Sequence, residues 1–155
     1  MEKRALSITY QYINQRAEWN KDQLMLITRA KEAADKAHAV YSNFMVGAAV
    51  QTEDGDIYTA NNQENAAYPS GLCAERVLLF YLNANFPHKK IKRLVVVAHP
   101  KGVAKFKPVS PCGACRQVMV EYRDKFSADA EIIMADVDGT EGYIFNSVLD
   151  LLPFT

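Results

Sequence analysis

The sequence predicts an α/β protein built on a mixed sheet, and three observations carry that expectation. Strand-like and helix-like apolar patterns alternate after an early hairpin. Asp54-Gly55 supplies the hairpin turn, and Leu94-Val95-Val96-Val97 has the unbroken apolarity of a strand covered on both faces. With 155 residues, 49% of them hydrophobic, the chain can fill one core but not two comfortable ones. A single domain over residues 1–155 is therefore expected.

Taken in order, residues 2–18 place Ala5, Leu6, Ile8, Tyr12 and Ile13 at near-helical spacing, broken by polar residues, and predict a helix. A second helix is expected from Asp22 to about Val40, on the stripe Leu24, Leu26, Ile27, Ala30, Ala33, Ala34 and Ala37. Asn20 stands ahead of it as N-cap, and its small residues suit close packing. Phe44–Thr52 and Ile57–Asn61 read as the strands of the hairpin. Residues 62–71 are polar and rich in turn formers. Cys73–Asn83 then carries a helical stripe through Val77, Leu78, Tyr81 and Leu82, so Cys73 falls in a first turn. A buried strand over 92–98 follows, then a loop and a helix from about Cys112 to Lys125. Strands over 131–136 and 142–145, joined by an Asp138-Gly139 turn, lead to a helical turn at 147–152.

Eighteen basic residues balance eighteen acidic ones, for a formal net charge of +0. No global field draws in a polyanion, so nucleic acid is not expected as a partner. The first residues lack the apolar core of a signal peptide, and no run approaches membrane-spanning length. A cytoplasmic protein without a membrane partner is expected, and an odd cysteine count there favours reduced thiols over a disulfide framework.

All three cysteines sit in chemical phrases, Cys73-Ala74-Glu75 and Pro111-Cys112-Gly113-Ala114-Cys115. A Cys-x-x-Cys pair and a third thiolate from elsewhere hold tetrahedral zinc with one position left for water. Helix starts lower thiol pKa values, which suits ligands that must be ionised. Three thiolates around a doubly charged ion leave a formal charge of minus one. Arg76 is the expected charge compensator, and Arg116, beside Cys115, divides evenly between that role and helix packing. Glu75 would shuttle protons beside the metal, in the zinc-deaminase arrangement. A lone glutamate there would more often be a solvated helix-start residue, and a lone cysteine a small buried hydrophobe. A closed structural zinc would need His38, His88 or His99, none of which adjoins a cysteine phrase.

Five phrases in order extend this reading: Tyr41-Ser42-Asn43-Phe44-Met45-Val46-Gly47-Ala48-Ala49, Asn62-Gln63-Glu64-Asn65-Ala66-Ala67-Tyr68, Cys73-Ala74-Glu75-Arg76, Ser110 to Gln117, and Leu151-Leu152-Pro153. With them the sequence resembles the small homotetrameric cytidine deaminases, the three-cysteine branch of the zinc-dependent nucleoside deaminases. The resemblance implies a three-layer fold with a mainly five-stranded mixed sheet between helices, and one zinc per chain on Cys73, Cys112 and Cys115. It further implies Glu75 as proton shuttle, Asn62 and Glu64 as ribose readers, Phe44 against the pyrimidine, and Ala74 at the base's polar edge. Tyr68 would reach across a subunit boundary, and Phe154 is a candidate contact to a neighbour's pocket. The implied reaction is hydrolytic deamination of cytidine and 2′-deoxycytidine in pyrimidine salvage. The alternatives are another aminopyrimidine nucleoside as substrate, or a non-catalytic zinc-stabilised binding module. Against this pattern, residues 1–20 are expected to form a helical N-terminal extension, Val40 replaces a proline, and the segment 101–107 is expanded.

Overall fold

A computed structural model describes residues 1–154. Its six-stranded sheet is ordered β1-β6-β5-β4-β2-β3, with β1 Gln11–Ile13, β2 Phe44–Thr52, β3 Ile57–Asn61, β4 Ile91–Pro100, β5 Phe126–Ala135 and β6 Gly142–Phe145. Only the central β4–β5 pair is parallel. The crossover between them carries α3 (Gly113–Glu121), while α1 (Lys21–Ala34) precedes β2 and α2 (Ala74–Asn85) leads into β4.

Two apolar layers follow from strand alternation. Val95 and Val97 of β4 meet Leu26, Ile27, Ala30 and Ala34 of α1 on one face. Leu94 and Val96 meet Leu78, Leu79 and Leu82 of α2 and Met119 and Val120 of α3 on the other. All four β4 residues are at most 1% exposed, as their unbroken apolar run required. The helix α1 starts where expected: Asn20 Oδ1 accepts from the Gln23 amide at 2.9 Å, and the Asn20 amide donates to Gln23 Oε1 at 3.0 Å. It sits so close to β2 that a Cβ on Gly47 would collide with the Ala30 carbonyl and lie 2.6 Å from the Ala34 amide. The alanines on α1 permit that approach.

Three expectations are corrected. Residues 2–18 form no α-helix, only a 3₁₀ turn at Arg16–Glu18, and the sheet has a sixth strand where the helix was expected. Residues 11–13 pair antiparallel with β6, and Tyr10 and Tyr12 lean on Tyr143 and Phe145 with ring centroids 5.2–5.8 Å apart. The polar breaks that weaken the helical stripe fit a strand end, where aromatic pairing offsets the lost helix bonds. The helix expected to reach Val40 ends at Ala34, because His38 bridges to the segment around Gln63 instead.

Both helix starts gather at one end of the sheet. Since β2 and β4 are antiparallel with Phe44 opposite Pro100, the start of β2 and the end of β4 lie together. The start of α2 leads into β4 and α3 leaves it, so the phrases containing Cys73 and Cys112 converge there.

Candidate metal centre and active site

Cys73 and Cys112 are the N-cap residues of α2 and α3, each with extended backbone and with its side chain making no capping bond. Neither sulfur is consumed by its own helix. Cys115, one turn into α3, lies back toward them: Cys112 Sγ is 3.7 Å from Cys73 Sγ and 3.5 Å from Cys115 Sγ, and the three ligand atoms all lie within 4.8 Å of one another. Among the described residues this is the one such cluster of metal-capable side chains, and it contains no histidine. Cys115 is buried, Cys73 half-buried and Cys112 exposed, so the cluster opens on one side.

Electrostatics favours a cation here. Hydrogen bonding from Cys115, joined by Arg76 and Cys112 and opposed by burial, brings the Cys73 thiol down to about 5. The same bond to Cys73, with burial added, pushes Cys115 strongly upward. A Cys73 thiolate is thus held against a protonated Cys115, and sulfurs packed this closely ionise together only with a positive partner. Arg76 Nη2 lies 3.9 Å from Cys73 Sγ and helps hold that thiol ionised. Arg116 has a different job. Its Nε donates to the Pro111 carbonyl at 2.8 Å, Nη2 to Ser110 Oγ at 3.0 Å and Nη1 to the Leu151 carbonyl at 3.4 Å, bracing the loop that delivers Cys112 against the C-terminal turn.

Glu75 is 3% exposed, and its Oε2 is buried without a hydrogen-bond partner. Burial, reinforced by the Cys73 charge and opposed by the bond from its own backbone, raises its carboxyl to about 7. A carboxylate oxygen left unpaired at such depth costs free energy unless a ligand or metal site completes it. That orphaned oxygen and the donor set of three soft thiols fit a zinc ion with an open position.

Of the other residues expected at the site, Asn62, Glu64 and Ala74 lie on segments that flank the thiols. Gln63 pairs with Leu72, exchanging two backbone bonds of 2.9 Å, which sets the segment 62–64 beside Cys73. Asn62 is buried, its Oδ1 accepting from the Val46 amide at 2.9 Å and its Nδ2 donating to the Phe44 carbonyl at 3.0 Å. Glu64 accepts from the Tyr41 and Ser42 amides at 2.8 and 3.2 Å and from the Ser42 hydroxyl. Ala74, the first residue of α2, is fully buried. Tyr68 and Phe154 are 91% and 85% exposed, outside the packed site of this chain. Two contributors carry no role in the sequence reading: Ser42, and Phe106, whose ring meets Phe44 edge-on at 5.7 Å. Ser42 lies inside a recognised phrase, whereas the segment holding Phe106 has no pattern that points to Phe44.

A mixed α/β sheet with an open three-thiol centre and a buried glutamate beside it defines a metal-dependent hydrolytic deaminase architecture. Residues 20–128 match the family described as the cytidine and deoxycytidylate deaminase zinc-binding region, and the chain belongs to that family. It is similar to the cytidine deaminase of Halalkalibacterium halodurans, 39% identical over 132 residues, covering 85% of this chain and 92% of that one. The cytidine deaminase of Sporosarcina psychrophila is 46% identical over 97 residues, 63% of this chain and 67% of its own. The crystal structure of cytidine deaminase from Burkholderia pseudomallei superposes with a TM-score of 0.68 at 39% identity, covering 83% of this chain and 94% of that one.

Proposed function

We propose that this chain hydrolyses cytidine to uridine and ammonia, with 2′-deoxycytidine as a second substrate. The observation that carries this reading is the buried, unpartnered Oε2 of Glu75 beside three convergent thiols. A zinc ion on Cys73, Cys112 and Cys115 would supply the Lewis acidity that makes water nucleophilic at neutral pH.

Glu75 handles the protons. Its Oε2 accepts one from the attacking water and passes it to the ring nitrogen next to the attacked carbon. It then takes the proton of the hydroxyl added there and gives it to the amino group, which leaves as ammonia while that carbon becomes a carbonyl. A carboxyl poised at about 7 can both take and give at neutral pH. Asn62 and Glu64 read the sugar hydroxyls, Phe44 packs on the pyrimidine, and the backbone of Ala74 meets its polar edge. Arg76 offsets the excess negative charge of three thiolates. The carboxylate of Glu64 at the sugar disfavours a 5′-phosphate, so free nucleoside is the substrate and salvage of nucleosides the setting. A cytoplasmic location fits ligands that must stay reduced. Among the described residues no helix is long and apolar enough to cross a membrane. The exposure of Tyr68 and Phe154 supports a homotetramer in which both meet neighbouring subunits.

Loss of cytosine absorbance, followed in parallel with cytidine, 2′-deoxycytidine and cytidine 5′-monophosphate, tests the substrate. Turnover of both nucleosides with little of the nucleotide is expected. Preference for the nucleotide would overturn the assignment of Glu64.

A further inference from the structure

We propose that Ser42 is a positioning residue for the substrate: its hydroxyl aims the Glu64 carboxylate and ties it to the backbone of Phe44. This rests on the reading of Glu64 and Phe44 as substrate contacts. The donor and acceptor roles are forced by the chemistry of the partners. A backbone N–H can only donate, so Ser42 Oγ accepts from the Phe44 amide at 3.0 Å. Its single proton goes to Oε1 of Glu64.

The local chain is shaped for that link. Asn43, between Ser42 and Phe44, has φ 54° in the left-handed region that asparagine tolerates. Its amide donates to the Ala39 carbonyl at 3.0 Å, and its carbonyl accepts from the Lys101 amide at 2.7 Å. On the opposite side Asn62 holds the Phe44 carbonyl at 3.0 Å. Alternate residues of one extended segment therefore grip Phe44 from both ends, Asn62 directly and Glu64 through Ser42. The residue between them, Gln63, is pinned to Leu72 next to Cys73. The sugar-reading and ring-packing groups are thus tied to one another and held beside the metal centre.

This arrangement also limits what Glu64 can offer. Its Oε2 already takes two backbone N–H donors, whereas Oε1 takes only the Ser42 hydroxyl. One acceptor direction on Oε1 remains for one substrate hydroxyl, and Ser42 sets it.

The test compares native protein, Ser42→Ala, Ser42→Thr and Glu64→Gln on cytidine and on 2′,3′-dideoxycytidine, which lacks the ribose hydroxyls Glu64 would read. Zinc content and Tm are measured alongside. Where turnover of the dideoxynucleoside is slow, its inhibition constant against cytidine replaces kcat/KM. Ser42→Ala should lose about tenfold more on cytidine than on the dideoxynucleoside, mainly through KM, and Ser42→Thr should recover most of that difference. Equal losses on both substrates would reduce Ser42 to a folding role and overturn the proposal. If Glu64→Gln discriminates between the substrates and Ser42→Ala does not, the proposal fails while the ribose reading stands. If Glu64→Gln treats the two alike, the ribose reading fails and takes the proposal with it.

Discussion

In the proposed reaction Glu75 concentrates the chemistry of the site, because its environment penalises any state in which nothing meets Oε2. Burial raises the carboxyl, and the charge of the adjoining Cys73 thiolate raises it further. Glu75→Gln keeps the volume and removes the proton relay. It should lower kcat by about 10²–10⁴-fold, with zinc content unchanged by atomic absorption. The role proposed for Arg76 is different, the balancing of charge. Arg76→Gln should weaken zinc retention against a chelator, in the range of about 10–100-fold seen when partners of metal ligands are lost. The thiols and Glu75 were legible because each belongs to a short-range phrase with a chemical spacing. Arg116 was not, since its partners Ser110, Pro111 and Leu151 join segments that only the fold brings together. Phe106 against Phe44 is hidden for the same reason.

At the scale of elements, the approach of α1 to β2 is the tightest constraint. Gly47→Ala would drive a methyl into the backbone of Ala30 and Ala34, which cannot rotate aside. It should cost about 1–3 kcal/mol and lower Tm by several degrees, read by calorimetry. The hairpin has a charge lock: Lys89 bridges Asp54 and Asp56, at 2.6 Å for the latter. Hydrogen bonds from Lys89 and Thr52 hold the Asp54 carboxyl below its ordinary 3.8. A depressed carboxyl stabilises the fold above its unfolded pKa, and that contribution is lost as pH falls through the folded value. Asp54→Asn should therefore flatten the loss of stability on acidification below about pH 4, measured as urea midpoints across that range. Elements with one strong local pattern were legible, including the four-residue β6, because alternation or a turn marks them. The N-terminal strand was not. Its conformation is set by Tyr143 and Phe145, more than a hundred residues away, rather than by its own spacing.

For the whole molecule, fold and metal should be coupled, because the ligands come from two helix starts separated by β4 and its following loop. A ligand held only by the folded chain raises stability by about 4 kcal/mol when present at a thousand times its Kd. Chelation should lower Tm, and readdition of zinc should restore it. The exposed Tyr68 and Phe154 make assembly part of the same account, and sedimentation should show a tetramer. A persistent monomer would remove both residues from the site.

The most direct measurement titrates zinc into metal-stripped protein and follows ammonia released from cytidine, for the native chain and Glu75→Gln in parallel. Native activity should rise in proportion to zinc and stop at one ion per chain, while Glu75→Gln should bind the same single ion and release ammonia about 10²–10⁴-fold more slowly. Native protein that holds one zinc per chain and releases no ammonia from cytidine would contradict the account.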